Sequence, residues 1–186
     1  MSSSGFEVLV DLTPAQLELL TRIGVSYARM DEGRVTGLYL SFPEIEQELQ
    51  ALAATYPDLC RLQTIGFSTE GRPLYALRIT DNPDRRECEP ELQAIGGMHG
   101  DEAAATELCL RLIRLLVTRY EEDPDVQAFV DAADLYVLPL MNPDGYSAEP
   151  SWKRRTAQGV DLNRDFPYVN EPDSTRLRAP ETEAVM

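Results

Sequence analysis

The sequence predicts an α/β fold, in which a mixed parallel and antiparallel sheet is flanked by helices and preceded by a small N-terminal α+β appendage. Two patterns predict this fold. An apolar strand, a long amphipathic helix and a second apolar strand follow one another between Leu92 and Met141, and this order gives a right-handed crossover and a parallel strand pair. Before them, two strands separated by a short polar turn form an antiparallel hairpin.

The composition is that of a globular protein. The 186 residues are enough for one good hydrophobic core, and 43% apolar with 26% charged residues is an ordinary proportion. No stretch approaches the roughly 20 consecutive apolar residues that span a bilayer. The first residues, Met1–Gly5, have neither a basic region nor an apolar core. We therefore expect no signal peptide and, by default, a cytoplasmic location.

Charge and cysteine content argue against several classes of function. Acidic residues outnumber basic ones by 32 to 17, for a net charge of −15. Because this charge repels phosphate, we expect neither nucleic acid nor an anionic membrane as a partner. Cys60, Cys88 and Cys109 are odd in number and widely spaced, which predicts neither a disulfide framework nor a Cys-x-x-Cys metal site. Cys109 lies in an apolar helical pattern and is expected to be buried.

Residues 1–38 are predicted to form the appendage. A short strand precedes a helix with Pro14 at its first position, and the strands Val25–Met30 and Val35–Leu40 follow. A unit of this size buries little apolar surface alone. We therefore expect it to pack against the rest of the chain, as a pro-segment does.

Residues 39–186 are predicted to form the main domain. Ser41 caps a helix that Pro57 ends, and the strands Leu62–Phe67 and Leu74–Thr80 form the hairpin. After a polar loop come a buried strand, a long helix and a second buried strand, namely Leu92–Gly97, Glu102–Tyr120 and Asp134–Met141. The apolar stripe of the long helix is predicted to consist of Leu108, Leu112, Leu115 and Leu116.

Polar motifs follow both strands of the crossover, where open α/β sheets bind ligands. His99 and Glu102 come directly after the first strand, and a spacing of three lets both side chains face one point. An imidazole nitrogen and a carboxylate oxygen are a good pair of zinc ligands. Taken alone, the pattern is weak evidence, because a single histidine near a helix start is more often a capping or surface residue.

Two further motifs lie downstream. Asn142–Gly145 follows the second strand and, taken alone, is typical of an ordinary turn. Gly159–Arg164 ends in Asn163 and Arg164, an amide and a guanidinium that together can hold a carboxylate. Alone, this arginine would be interpreted as a solvated surface residue.

The order of the three motifs carries more information than any one of them. Gly97–Glu102, Asn142–Gly145 and Gly159–Arg164, in this order, resemble the zinc carboxypeptidases, the metallocarboxypeptidase family typified by carboxypeptidase A. The resemblance covers roughly residues 40–186 and includes Pro180–Glu183, which is similar to the start of the family's next helix.

The resemblance implies a role for individual residues. His99 and Glu102 match the first two ligands of a single catalytic Zn²⁺, and Asn163 and Arg164 match the pair that binds the C-terminal carboxylate of a substrate. The arginine that stabilises the oxyanion should lie shortly before Gly159. Two residues are candidates for this role, Arg154 and, as the second choice, Arg155.

The resemblance also implies a reaction, the metal-dependent hydrolysis of a C-terminal residue from a peptide or protein. The family's third zinc ligand is a histidine and its general base a glutamate, both further along the chain. His99 is the only histidine here, so we expect an N-terminal portion of the catalytic domain that lacks the third ligand and is inactive by itself. We also expect its uncapped sheet edge to permit self-association.

Two other functions stay open at this point. A non-catalytic module would keep the carboxylate-binding pair and bind peptide C-termini. A related zinc hydrolase would use the same residues on acylated amino acids or peptidoglycan peptides. The sequence does not decide between them, nor does it give the side chain of the residue that is cleaved.

Overall fold

A computed structural model of the chain describes residues 39–148, 152–167 and 178–186. In this part of the chain a mixed sheet carries helices on both faces, which confirms the α/β class. The appendage predicted for residues 1–38 lies outside the described residues and stays a prediction.

The strands are β1 (Cys60–Phe67), β2 (Pro73–Ile79), β3 (Glu91–Ile95) and β4 (Asp134–Leu138). Their spatial order in the described sheet is β1-β2-β4-β3. Both β1–β2 and β2–β4 are antiparallel pairs, whereas β3 and β4 are parallel. The predicted hairpin and the predicted parallel pair are both confirmed. β3 lies at an edge of this described sheet. Self-association through an uncapped sheet edge stays a prediction.

The described residues form five α-helices and one 3₁₀ turn. They are α1 (Phe42–Thr55), α2 (Ala103–Arg119), α3 (Pro124–Val130), α4 (Pro143–Tyr146) and α5 (Pro180–Val185), with a 3₁₀ turn at Leu162–Arg164. At the start of α1, the Ser41 N–H donates to the Glu44 carboxylate at 2.7 Å, which satisfies a free donor of the first turn. Among the described helices, none is long and apolar enough to cross a membrane.

Each face of the sheet has its own apolar cluster. On one face, α1 and α2 cover the side chains of alternate residues of β2 and β4, such as Leu77 and Val137, which are fully buried. On the other face, Leu74 and Leu138 pack with Leu162 and the start of α5. The period-two alternation of the strands therefore divides their apolar residues between two layers of helix.

The predicted apolar stripe of α2 is wrong in part. Leu116 is buried, but Leu108 and Leu115 are 67% and 51% exposed. Leu116 is the one predicted residue among the buried residues of the helix, which are Ala103, Thr106, Cys109, Leu110, Ile113, Leu116 and Val117. Leucines occur at helical spacing on two sides of α2, so periodicity alone could not select the buried side.

Two leucines of α2 allow a matched test of this orientation. Leu110 is 1% exposed, so Leu110→Ala leaves a cavity and should lower the free energy of unfolding by about 2–5 kcal/mol. Leu108→Ala removes the same atoms from an exposed side chain and should change it by less than about 0.5 kcal/mol. Urea denaturation of both variants measures the difference. Equal losses would mean that α2 presents another face to the sheet.

Candidate metal centre

The backbone holds the ends of β3 and β4 together beyond the last paired strand residues. The Gly96 N–H donates to the Leu138 carbonyl at 2.8 Å, and the Asn142 N–H donates to the Gly97 carbonyl at 2.9 Å. Because the strands are parallel, the loops that follow both of them leave the same edge of the sheet. The two motifs that were predicted to share this edge therefore start side by side.

His99 and Glu102 meet within a single turn between β3 and α2. The Glu102 N–H donates to the His99 carbonyl at 3.1 Å, and this bond closes the turn that carries both residues. His99 Nδ1 lies 2.8 Å from Glu102 Oε1. The histidine is buried, whereas the Glu102 side chain is about half exposed, so the pair opens towards solvent on the glutamate side.

Asp161 contacts the other nitrogen of the His99 ring. Its Oδ1 lies 3.1 Å from His99 Nε2 and also accepts a hydrogen bond from the Asn163 N–H. A neutral imidazole carries one N–H, and with that proton on Nε2 the ring donates to Asp161 and leaves the Nδ1 lone pair on the Glu102 side. Carboxylates that orient a metal-binding histidine are arranged in this way.

Asp161 was not among the site residues predicted from the sequence. It is the N-cap of the 3₁₀ turn at Leu162–Arg164, and it lies within the motif Gly159–Arg164. An aspartate at this position of a turn is explained by its capping role alone. Its partner His99 is 62 residues away in the chain, so spacing along the sequence does not connect the two. Only the fold shows that this carboxylate reaches the histidine.

The two candidate arginines differ in their surroundings. Arg154 Nε lies 3.3 Å from Asp161 Oδ2, and Arg154 Nη1 lies 3.7 Å from Glu102 Oε1. Arg155 instead donates to the carbonyl of Gly159, which belongs to its own loop. The structure therefore brings Arg154, and not Arg155, into contact with the carboxylates around His99.

Asn163 and Arg164 lie on the turn that Asp161 starts. Both are exposed, and Arg164 Nη1 donates to the Asn163 carbonyl at 3.0 Å. The bond from the Asn163 N–H to Asp161 links this turn to the carboxylate that contacts His99. The turn that carries the predicted carboxylate-binding pair is therefore connected to His99 through Asp161.

The Asn142–Gly145 motif forms α4 and is fixed to the β1–β2 hairpin by a buried carboxylate. Asp144 is 4% exposed and accepts hydrogen bonds from Ser68 Oγ at 2.7 Å, the Glu70 N–H at 2.9 Å and Arg72 Nη1 at 2.7 Å. Hydrogen bonds from three donors offset the free energy lost when this carboxylate is removed from water. The hairpin tip and the end of β4 are therefore held as one unit.

The electrostatic surroundings favour the ionised form of Asp161. Partial removal from water raises the pKa of this carboxyl, but the hydrogen bond with His99 and the positive charge of Arg154 outweigh that effect, so the net pKa lies below its ordinary value. Glu102 and Asp161 thus place two acidic groups around one imidazole, with Arg154 as the cation that contacts both.

The donor set at His99 fits a zinc ion. Imidazole nitrogen and carboxylate oxygen bind Zn²⁺ at about 2.0–2.2 Å, and a single ion can touch two atoms that lie less than twice that distance apart. The 2.8 Å separation of His99 Nδ1 and Glu102 Oε1 meets this condition. Asp161 on the second ring nitrogen supplies the supporting contact that such a ligand needs.

Comparison with known proteins agrees with the fold and the motifs. The chain belongs to the zinc carboxypeptidase family, whose sequence profile matches residues 45–185. Carboxypeptidase SOL1 of Arabidopsis thaliana is 39% identical over 150 residues, which cover 80% of this chain and 30% of that protein. Carboxypeptidase D of Homo sapiens is 40% identical over 154 residues, which cover 78% of this chain and 11% of that protein.

A solved structure shows the same fold. Carboxypeptidase A from Helicoverpa armigera superimposes with a TM-score of 0.67 at 24% identity, over 92% of this chain and 48% of that one. The family profile and the two curated relatives confirm the family resemblance predicted from the motifs. The chain spans less than a third of the length of either curated relative.

The lowered pKa of Asp161 predicts a pH-dependent contribution to stability. A carboxyl whose pKa is lowered by folding stabilises the folded state above its unfolded pKa of about 3.9, and this contribution is lost as the pH falls through the folded value. Asp161→Asn should therefore lower the free energy of unfolding at pH 7, and its difference from wild type should shrink as the pH falls from 5 towards 3.

Urea denaturation at several pH values measures this difference. The exposed residue Asp101 provides the control, since Asp101→Asn should stay within about 0.5 kcal/mol of wild type at each pH. A deficit of Asp161→Asn that is the same at pH 7 and pH 3 would show that the charge of Asp161 contributes nothing to stability.

Proposed function

We propose that the protein acts in zinc-dependent hydrolysis of the C-terminal residue of peptides or proteins. One observation carries the proposal. His99 Nδ1 and Glu102 Oε1 lie 2.8 Å apart at the edge of the sheet, while Asp161 contacts the other nitrogen of the ring. Membership of the zinc carboxypeptidase family supports the same reaction.

His99 and Glu102 would hold one Zn²⁺. Bound there, the ion would supply an activated water and polarise the scissile carbonyl. Catalytic zinc sites use three protein ligands, and the family's third ligand is a histidine. Because the 186 residues contain a single histidine, we propose that the third ligand comes from outside them and that these residues alone bind zinc weakly and do not turn over substrate.

Arg154 would stabilise the negative charge that develops on the scissile carbonyl oxygen. Its side chain is 44% exposed, so its remaining N–H groups can reach a substrate while two carboxylates hold it. An oxyanion donor is effective when it is in place before the reaction, because no reorganisation is then needed. The contacts with Glu102 and Asp161 provide that placement.

Asn163 and Arg164 would bind the terminal carboxylate of the substrate. Guanidinium and carboxylate form a paired hydrogen-bonded contact, and the amide of Asn163 can add another donor. Both residues are exposed on a turn tied to Asp161. Their link to Asp161, the carboxylate that contacts His99, supports cleavage at a chain end, where a free carboxylate is always present.

The first test of this function compares two adjacent arginines in a form of the protein that includes the third ligand and the general base. Removal of one oxyanion donor costs about 10²–10³ in kcat, and Arg154→Ala should show a loss of that size in the release of C-terminal residues. Arg155→Ala removes the same charge from a side chain bound to its own loop and should retain activity.

Two results would contradict this assignment. Full activity of Arg154→Ala would exclude it as the oxyanion donor, and an equal loss in both variants would indicate a general effect of charge. Binding of peptide C-termini without any turnover would instead support the alternative of a non-catalytic binding module.

The second test concerns carboxylate recognition by Arg164. A charge-assisted contact is worth about 1.5–3 kcal/mol, so Arg164→Ala should weaken binding of a peptide with a free C-terminus by roughly 10- to 150-fold. The same peptide with an amidated C-terminus lacks the partner and should bind both proteins equally. Inhibition constants for the two peptides measure this difference, and equal losses for both would leave Arg164 as a structural residue.

A further inference from the structure

We propose that Asn142 is a positioning residue that fixes Arg154 beside His99 and Glu102. The proposal rests on the function given above, in which Arg154 contacts the substrate. It assigns a role to the first residue of the Asn142–Gly145 motif, whose sequence alone indicates nothing more than a turn.

The Asn142 side chain bridges two segments of the site. It is fully buried; its Oδ1 accepts the Gly145 N–H at 2.9 Å, and its Nδ2 donates to the Arg154 carbonyl at 3.2 Å. Its own N–H donates to the Gly97 carbonyl, close to His99. One residue therefore connects the end of β3, the start of α4 and the backbone of Arg154.

The backbone of the Arg154 loop lies directly on α4. The Lys153 N–H donates to the Gly145 carbonyl at 2.8 Å, and a Cβ at Gly145 would lie 2.4 Å from the Lys153 carbonyl oxygen. A Cβ at Gly100 would likewise lie 2.2 Å from the Gly145 carbonyl carbon. Contacts this short leave no room for side chains, so the loops of His99 and Arg154 both pack on the backbone at Gly145.

The bond to Arg154 is separate from the capping role of Asn142. As N-cap of α4, Asn142 needs only the acceptor Oδ1 that meets the Gly145 N–H. The Nδ2 donor does nothing for the cap, and its partner is the residue whose guanidinium contacts Asp161 and Glu102. Aspartate and serine also cap helices, but the aspartate carboxylate has no donor, and the serine hydroxyl ends one bond short of the position that Nδ2 occupies.

The single histidine makes the test specific. His99 Nε2 contacts Asp161, which in turn contacts Arg154, so the imidazole ¹⁵N resonances report on the position of Arg154 without any assignment ambiguity. Spectra are recorded on the 186-residue chain at one fixed pH, with neither metal nor substrate. The outcome is therefore independent of whether the protein is a carboxypeptidase.

Four variants are compared with wild type. Arg154→Ala should displace the His99 resonances because Asp161 loses its cation, and Asn142→Asp and Asn142→Ser should displace them in the same direction by at least half as much. The double variant of Arg154→Ala with Asn142→Ser should add nothing to Arg154→Ala alone. Asn82→Asp makes the same chemical change in the exposed loop after β2, at the opposite end of the sheet, and should leave His99 unchanged.

Any of three results would overturn the proposal. The first is a wild-type His99 spectrum in an Asn142 variant that retains the far-UV circular dichroism of the folded chain. The second is an additive displacement in the double variant, which would mean that Asn142 acts on His99 independently of Arg154. The third is a wild-type spectrum for Arg154→Ala, because the contact between Arg154 and Asp161 would then have no influence on the ring.

Discussion

The backbone hydrogen bonds that join the end of β3 to the segment after β4 are the interaction on which the site depends. They run from Gly96 to Leu138 and from Asn142 to Gly97, and they continue the parallel pairing into the two loops. His99 follows one of these strands and Asn142 the other. The His99 ring then contacts Asp161, and the side-chain amide of Asn142 donates to the backbone of the Arg154 loop.

The charges around His99 explain why a cation suits this place. The His99 imidazole lies between two carboxylates, and one arginine, itself 44% exposed, contacts both. Two acidic side chains and one arginine leave excess negative charge around the imidazole ring. A divalent cation bound to the imidazole nitrogen and the Glu102 carboxylate would neutralise that excess. Asp144, a buried acid on α4, already accepts hydrogen bonds from three donors and does not need a cation.

Local sequence signals predicted the parts of the fold that depend on local physics. The Ser41 cap, the hairpin and the strand–helix–strand order follow from capping, turn chemistry and periodicity, and the structure confirms them. The buried face of α2 could not be predicted, because leucines lie on two sides of the helix and only packing selects between them. Asp161 and the bond from Asn142 to Arg154 could not be predicted either, since each joins residues that only the tertiary fold brings together. The choice between Arg154 and Arg155 depends on side-chain direction, which spacing along the chain cannot give.

The most direct test of the metal centre is a Zn²⁺ titration of the 186-residue chain followed by ¹⁵N NMR of its single imidazole. The arrangement of Asp161 on Nε2 and Glu102 beside Nδ1 predicts that Zn²⁺ displaces the Nδ1 resonance to that of a coordinated nitrogen. Nε2 should keep its proton, and Glu102→Gln should weaken the response. Coordination through Nε2, or binding of Zn²⁺ with the His99 resonances unchanged, would contradict the assignment of His99 and Glu102 as the ligand pair.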